Sequence, residues 1–253
     1  MKTFPAPDGF LARRLPAATA WLRPRTEKPI LSTWQKTGTH LRLGEVTRRH
    51  PQSTRHPGRA PVHSAPFPGA GELVVRPCLH GGGWGILAGD LYLGPARVRR
   101  EILASSRLSR MQIPTPEIEA VLFYPAGPLV RMELVSRKIP ESRDLVQRLA
   151  QRPGPAERKL LFSAVLKLFT QLHRHGIRHP DLNARNILLA GDRRPTAWLL
   201  DVDAVHFDNP STPSIDTANR HRLLRSLFKR ARLGDLGWSE SKVAKLWREL
   251  FPR

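Results

Sequence analysis

Apolar residues recur at helical spacing most clearly between Glu157 and His175, where Leu160, Leu161, Ala164, Leu168 and Leu172 form one stripe. That spacing predicts a long amphipathic helix, and Gly176 closes it as a C′ residue. A second helical stripe, Val98, Ile102 and Leu103, runs through Pro95–Leu108, where Glu101 is the only acid. A third helix is expected to start at Ser142-Arg143-Asp144 and to run to about Gln151, before Pro153-Gly154-Pro155 breaks it. Elsewhere the pattern is that of strands. Val62–Phe67 and Glu72–Arg76 read as a hairpin around Pro68-Gly69-Ala70-Gly71. Ile118–Tyr124 and Leu129–Ser136 read as a second pair, and Ile187–Leu189 with Trp198–Leu200 as a third. Residues 1–52 are rich in Pro and Arg and hold no period. They are expected to form an irregular, partly disordered extension, with a strand at Ile30–Trp34 as the other reading. His50–Pro57 reads as loop.

The polar residues at the ends of these elements carry the chemistry. The long helix leads into His179-Pro180-Asp181-Leu182-Asn183-Ala184-Arg185-Asn186, an H-x-D-L-x-x-x-N arrangement, and Asp201 follows fifteen residues after Asn186. A loop with Asp and Asn, a strand, a turn, a second strand and then an Asp is the catalytic layout of the protein-kinase fold. Phosphoryl transfer asks a protein mainly for positioning and charge neutralisation. Asp181 is placed to take or orient the proton of an attacking hydroxyl, and is the candidate catalytic residue. Asn186 and Asp201 offer the hard oxygens that Mg²⁺ prefers. His179 supports the loop backbone rather than performing chemistry. Asp203 reads equally as a metal or substrate contact and as a local cap. Any one of these residues alone reads as a turn or cap; the spacing of the whole set points to a kinase.

In the N-terminal half, Arg76 ends a strand and is the candidate cation for nucleotide phosphates, with Glu101 on the following helix as its partner. The other reading of Glu101 is a solvated helix charge. His80–Gly85 is a glycine-rich loop suited to lie near phosphates, Leu134–Lys138 offers backbone to adenine, and Arg137–Pro140 is the expected hinge. The fold expected is α+β, a two-lobed kinase-like architecture: an extension over 1–52, a small β-rich N-lobe over 53–138 and a mainly helical C-lobe over 139–253.

Composition narrows the partners. Among 253 residues, 42 Lys and Arg face 21 Asp and Glu, a formal net charge of +21. Such a chain attracts polyanions: nucleic acid, an anionic membrane surface or a phosphorylated glycolipid. No interleaved aromatics or base-reading motif accompany the charge, so nucleic acid is not the expected partner. Cys78 is the single cysteine, which excludes an intramolecular disulfide and a cysteine metal cluster. No stretch approaches the ~20 apolar residues of a membrane span, and the start has no sustained apolar core of a secretory signal. A cytoplasmic location is expected.

The segments His179–Leu189 and Trp198–Asp203 resemble the H-x-D-L-N-x-x-N-I-L-L and W-L-I-D-F-D signatures of the bacterial lipopolysaccharide-core kinases. Gly58-Arg59-Ala60 resembles the family's glycine loop, which implies that Gly58 helps bind the nucleotide. Leu73–Arg76, Arg100-Glu101 and Ala218–Leu227 are similar to further motifs of the family, and the resemblance spans about residues 56–230. It implies an ATP-dependent, Mg²⁺-using kinase that phosphorylates a hydroxyl of 3-deoxy-D-manno-octulosonic acid (Kdo) on Kdo–lipid A or a related glycolipid. The implied location is peripheral, on the cytoplasmic face of the inner membrane. The basic helix Asn219–Arg232 and the Arg-rich N-terminus are candidate contacts with that surface, against the reading of a solvated basic face. Asn183, where a protein Ser/Thr kinase carries Lys, Asp201-Val202-Asp203 in place of D-F-G, and the lack of a following A-P-E argue against a regulated protein kinase. Two other readings stay open: a heptose- or aminoglycoside-type kinase of the same fold, and a basic nucleic-acid-binding protein with an inactive kinase-like core.

Overall fold

The computed structural model describes residues 3–37, 40–56, 62–80, 89–210, 212 and 214–251. The chain divides into two compact units, one of residues 1–102 and 117–138, the other of residues 103–116 and 139–253.

The first unit is built on an antiparallel sheet. Its elements in chain order are β1 (Leu11–Arg14), β2 (Thr19–Leu22), α1 (Pro24–Thr37), α2 (Leu43–Arg49), β3 (Thr54–His56), β4 (Val62–Phe67), β5 (Gly71–Pro77), β6 (Leu91–Tyr92), the first part of α3 (Ala96–Arg110), β7 (Ile118–Ala126) and β8 (Leu129–Arg137). The strand order is β1-β2-β7-β8-β5-β4-β3, with β6 also joined to β8. Alternate residues of the inner strand β7 go to opposite faces. Ala120, Leu122 and Tyr124 pack with Ile30 and Trp34 of α1 and Leu43 and Val46 of α2. Val121 and Phe123 pack with Trp21, Met132 and, from α3, Val98 and Ile102. Both faces of the sheet are therefore covered, which is why β7 reads as an almost unbroken apolar run rather than an alternating one.

The second unit is mainly helical. It holds β9 (Ser142–Asp144), α4 (Leu145–Ala150), α5 (Pro155–Arg174), β10 (Ile177–Arg178), β11 (Ile187–Ala190), β12 (Thr196–Leu199), β13 (His206–Phe207), α6 (Ser214–Arg232) and α7 (Glu240–Leu250), together with the C-terminal part of α3. Leu161, Val165, Leu168, Phe169 and Leu172 bury the inner face of α5 against Leu223 and Leu227 of α6 and Leu246 and Leu250 of α7. A three-stranded sheet, β12-β11-β9, carries the chain away from and back to the loop before β11.

This is the expected fold class: an α+β chain with a β-rich unit and a mainly helical one. Several local readings are corrected. Ile30–Trp34 is helical, not extended or irregular, and residues 11–22 supply two strands of the sheet. His50–Pro57 contains β3, paired with β4. Leu103 and Leu160 are 59% and 43% exposed, so neither belongs to its helix's buried stripe. Each is adjacent in sequence to a buried residue and so points about 100° away from it around the helix. Ser142–Asp144 is a strand, and the helix expected there starts only at Leu145, where Asp144 and Gln147 form a reciprocal capping box.

Candidate active site

The loop between α5 and β11 is organised by one buried histidine. Gly176 ends α5 with φ +64, and the chain enters the two-residue strand β10. His179 then turns inward and is fully buried. Its Nε2–H donates to the carbonyl of Leu200 at 3.0 Å, and its Nδ1 accepts the backbone N–H of Asp181 at 3.2 Å. Those roles require the neutral ring. Burial is the main cause that pushes its pKa down; the hydrogen bond to the Leu200 carbonyl and the carboxylates of Asp201, Asp181 and Asp203 pull the other way. His179 thus supports the backbone at both acids, as the sequence suggests.

Asp181 stands exposed at the crest of the loop, and Leu182 beside it is fully buried. Asn183 folds back, taking the N–H of Arg185 on its Oδ1 at 2.9 Å, and a 3-10 turn over Ala184–Asn186 leads into β11. Asn186 donates from Nδ2 to the carbonyl of Asp181 at 2.8 Å. The pairing of β11 with β12 continues one step beyond the strands, where the N–H of Leu200 donates to the carbonyl of Asn186 at 2.9 Å. Asn186 and Asp201 therefore leave the same end of one hairpin. Asp201 adopts the left-handed conformation, φ 59 and ψ 51, an uncommon backbone for a residue other than Gly.

The structure brings Asp181, Asn186 and Asp201 to one end of the second unit. The amide oxygen of Asn186 and the carboxylate of Asp201 are hard-oxygen donors of the kind Mg²⁺ takes. Among the described residues no group of three His, Cys, Asp or Glu side chains is assembled to hold a metal.

Two polar side chains of the Ala218–Leu227 motif, to which the sequence reading gave no role in the site, hold this loop from α6. Asn219 donates from Nδ2 to the carbonyl of Ile177 at 2.8 Å and accepts the N–H of His179 on Oδ1 at 3.0 Å. Ser226 accepts the N–H of Ala184 at 3.0 Å. The signal for Asn219 is present in the pattern: the buried residues of α6 are Ile215, Asn219, Leu223 and Leu227, a polar residue inside an i, i+4 apolar stripe.

In the first unit, Arg76 lies opposite Leu134 in the β5–β8 pairing, and its guanidinium forms an ion pair with Glu101 of α3. The side chains are 22% and 6% exposed, so this is a partly desolvated pair rather than a surface one. The solvated reading of Glu101 is corrected: its position on α3 turns it toward the sheet. Gly58 and the loop Gly81–Gly85 lie outside the described residues.

Residues 57–249 match the sequence profile of the family described as lipopolysaccharide kinase (Kdo/WaaP). The chain is similar to a 3-deoxy-D-manno-octulosonic acid kinase of Stenotrophomonas maltophilia, 33% identical over 176 residues, which are 68% of this chain and 67% of that one. It is similar to proteins of the same description from Xanthomonas oryzae pv. oryzae, 34% identical over 171 residues (65% and 64%), and from Vibrio parahaemolyticus, 27% over 179 residues (69% and 72%).

Proposed function

This chain belongs to the lipopolysaccharide kinase (Kdo/WaaP) family, and we propose that it transfers the γ-phosphoryl group of ATP to a hydroxyl of Kdo on Kdo–lipid A, or on a related glycolipid of the lipopolysaccharide core. The observation that carries the reading is the loop in which buried His179 supports Asp181 through one ring nitrogen and the residue before Asp201 through the other. Asp181 accepts or orients the proton of the sugar hydroxyl as it attacks. Asn186 and Asp201 hold Mg²⁺, which when bound neutralises developing charge on the phosphates. Arg76, fixed by Glu101, contacts the nucleotide phosphates, and Gly58 helps bind the nucleotide. The rate comes from alignment and from charges fixed in place before the reaction begins.

The acceptor is anionic, and the charge of +21 complements it. On α6, His221, Arg225, Lys229 and Arg232 lie at i, i+4, i+8 and i+11, a basic stripe along one side of the helix. Arg pairs well with phosphate and carboxylate, and each cation near an anionic lipid surface adds about 1 kcal/mol to binding. Among the described residues no helix is long and apolar enough to cross a membrane. In this reading the enzyme reaches its acceptor as a peripheral protein on the cytoplasmic face of the inner membrane.

The test is incubation with ATP, Mg²⁺ and Kdo–lipid A followed by mass spectrometry. One added phosphate on the Kdo-bearing product is expected. Phosphate on a heptose-containing or aminoglycoside acceptor, with none on Kdo–lipid A, would overturn the choice of acceptor.

A further inference from the structure

We propose that Asn219 and Ser226 of α6 are positioning residues for phosphoryl transfer, holding the loop of Asp181 at a fixed height from both of its sides. The inference rests on the reading that Asp181 serves the attacking hydroxyl.

Asn219 is 1% exposed in the middle of a helix, a place where Asn has no propensity advantage. Its side chain uses both of its polar ends on one neighbouring strand. The amide N–H donates to the carbonyl of Ile177 at 2.8 Å, and the amide oxygen accepts from the N–H of His179 at 3.0 Å. Two opposite bonds to backbone groups two residues apart fix the orientation of the amide and, through it, the height of the chain on α6. Only an amide of this length supplies donor and acceptor together. Asp lacks the donor and sets a carboxylate against the Ile177 carbonyl; Leu fills the space and leaves both backbone groups unpaired.

Ser226 lies seven residues, or two turns, further along α6. It takes the N–H of Ala184 at 3.0 Å. The helix therefore grips the loop before Asp181, at residues 177 and 179, and after it, at residue 184. A third link lies beyond, where Asp235 joins Arg185 at 3.1 Å to Arg230 of α6 at 3.0 Å. Between the grips run Pro180 to Asn183, with Leu182 fully buried and Asp181 exposed. His179 is then doubly constrained, its backbone by Asn219 and its ring by Leu200 and Asp181. A buried Asn that only satisfied two backbone groups would affect folding alone. Attached directly to the histidine that carries the backbone of Asp181, it also sets where the carboxylate meets a hydroxyl.

The test compares Asn219→Ala, Asn219→Asp and Ser226→Ala with the unaltered enzyme, well below each variant's melting temperature. Steady-state transfer from ATP to Kdo–lipid A is measured together with amide hydrogen exchange. Displacements near 1 Å cost on the order of 10²-fold in rate, so Asn219→Ala is expected to lower kcat about that much. KM for ATP should stay within about threefold, because the nucleotide contacts assigned to Arg76, Asn186 and Asp201 remain. Asn219→Asp, which keeps the acceptor for His179, should fall between, and Ser226→Ala should lower kcat about tenfold. The His179 amide should exchange faster in Asn219→Ala while the amides of α6 keep their protection. A folded Asn219→Ala enzyme with kcat within threefold of normal, or with the His179 amide as protected as before, overturns the proposal. If Asn219→Ala does not fold, Asn219→Asp and Ser226→Ala decide it by the same kcat and KM comparison. Absence of any transfer by the unaltered enzyme would sink the acceptor assignment instead, and the exchange measurement, which needs no acceptor, still judges the grip.

Discussion

His179 donates its Nε2–H to the carbonyl of Leu200 at 3.0 Å, so a single buried ring ties the residue before Asp201 to the loop of Asp181. The same ring accepts the N–H of Asp181, and a second proton would abolish that bond. Its pKa is lowered in the folded protein, chiefly by burial, with the hydrogen bond to Leu200 and the charges of Asp201, Asp181 and Asp203 opposing. On acidification the unfolded chain takes up this proton first, near pH 6.5, while the folded ring stays neutral. Stability from this group is complete above that pH and falls as pH drops from about 6.5 toward the lowered folded value. Melting temperature followed from pH 7.5 to 5 should decline more steeply in the unaltered protein than in His179→Gln. Parallel curves would show that the ring does not titrate in this way.

Gly176 is expected to tolerate no side chain. A Cβ there would lie 2.1 Å from the carbonyl oxygen of Asp208, and φ is +64. The obstacle is backbone, and the conformation is costly for any L-residue, so Gly176→Ala should lose roughly 2–5 kcal/mol. Denaturant titration measures this directly, and a loss under about 0.5 kcal/mol would contradict the geometry.

The Arg76–Glu101 pair should act on nucleotide affinity. Charged hydrogen bonds to phosphate are worth ~1.5–3 kcal/mol, so Arg76→Ala should raise KM for ATP about tenfold or more. Glu101→Gln should raise it by less, since the cation remains but is no longer fixed. An unchanged KM for ATP in Arg76→Ala would remove Arg76 from the nucleotide site.

Glu119 gives the contrasting case of an acid expected to serve folding alone. It is fully buried at an irregularity in β7 and meets Arg25 of α1 at 2.7 Å and Arg137 of β8 at 3.0 Å. Glu119→Ala leaves both arginines without this partner and should cost about 3 kcal/mol. In the folded variant kcat is expected to stay within a factor of ~2, because Glu119 lies among the structural contacts of α1 and the sheet. A stable variant would contradict the first expectation, and a large fall in kcat the second.

How much of the molecule is legible in its sequence depends on how many residues carry each signal. The α5 helix repeats its apolar stripe over 20 residues, and β7 and β8 are long apolar strands, so all three stand out. Helix α1 holds its place with Ile30 and Trp34, with Leu31 partly buried beside them, and carries Pro29 inside; one i, i+4 pair is too little to read a period from. Strand β2 is four residues long and wholly buried, so it never alternates. Asp181, Asn186 and Asp201 stand out as candidates because phosphoryl transfer asks for their chemistry and the hairpin fixes their spacing. Asn219 and Ser226 lie 18 and 25 residues beyond Asp201, in a segment that reads only as a family-like motif and a basic helix. Their role depends on α6 packing back against β10, a tertiary fact that no local pattern carries. In the sequence the pairing of Arg76 with Glu101 follows from element order alone, and the ion pair gives it a physical basis.

The central claim is that Asp181 serves the attacking hydroxyl while Asp201 serves the metal-bound nucleotide. Single-turnover transfer from radiolabelled ATP to Kdo–lipid A, with Mg–ATP binding measured on the same preparations, tests it most directly. Asp181→Ala should lose a factor of ~10²–10⁴ in transfer while its affinity for Mg–ATP stays within about threefold of normal. Asp201→Ala should lose that affinity itself. Transfer by Asp181→Ala within about tenfold of the unaltered enzyme would contradict the account.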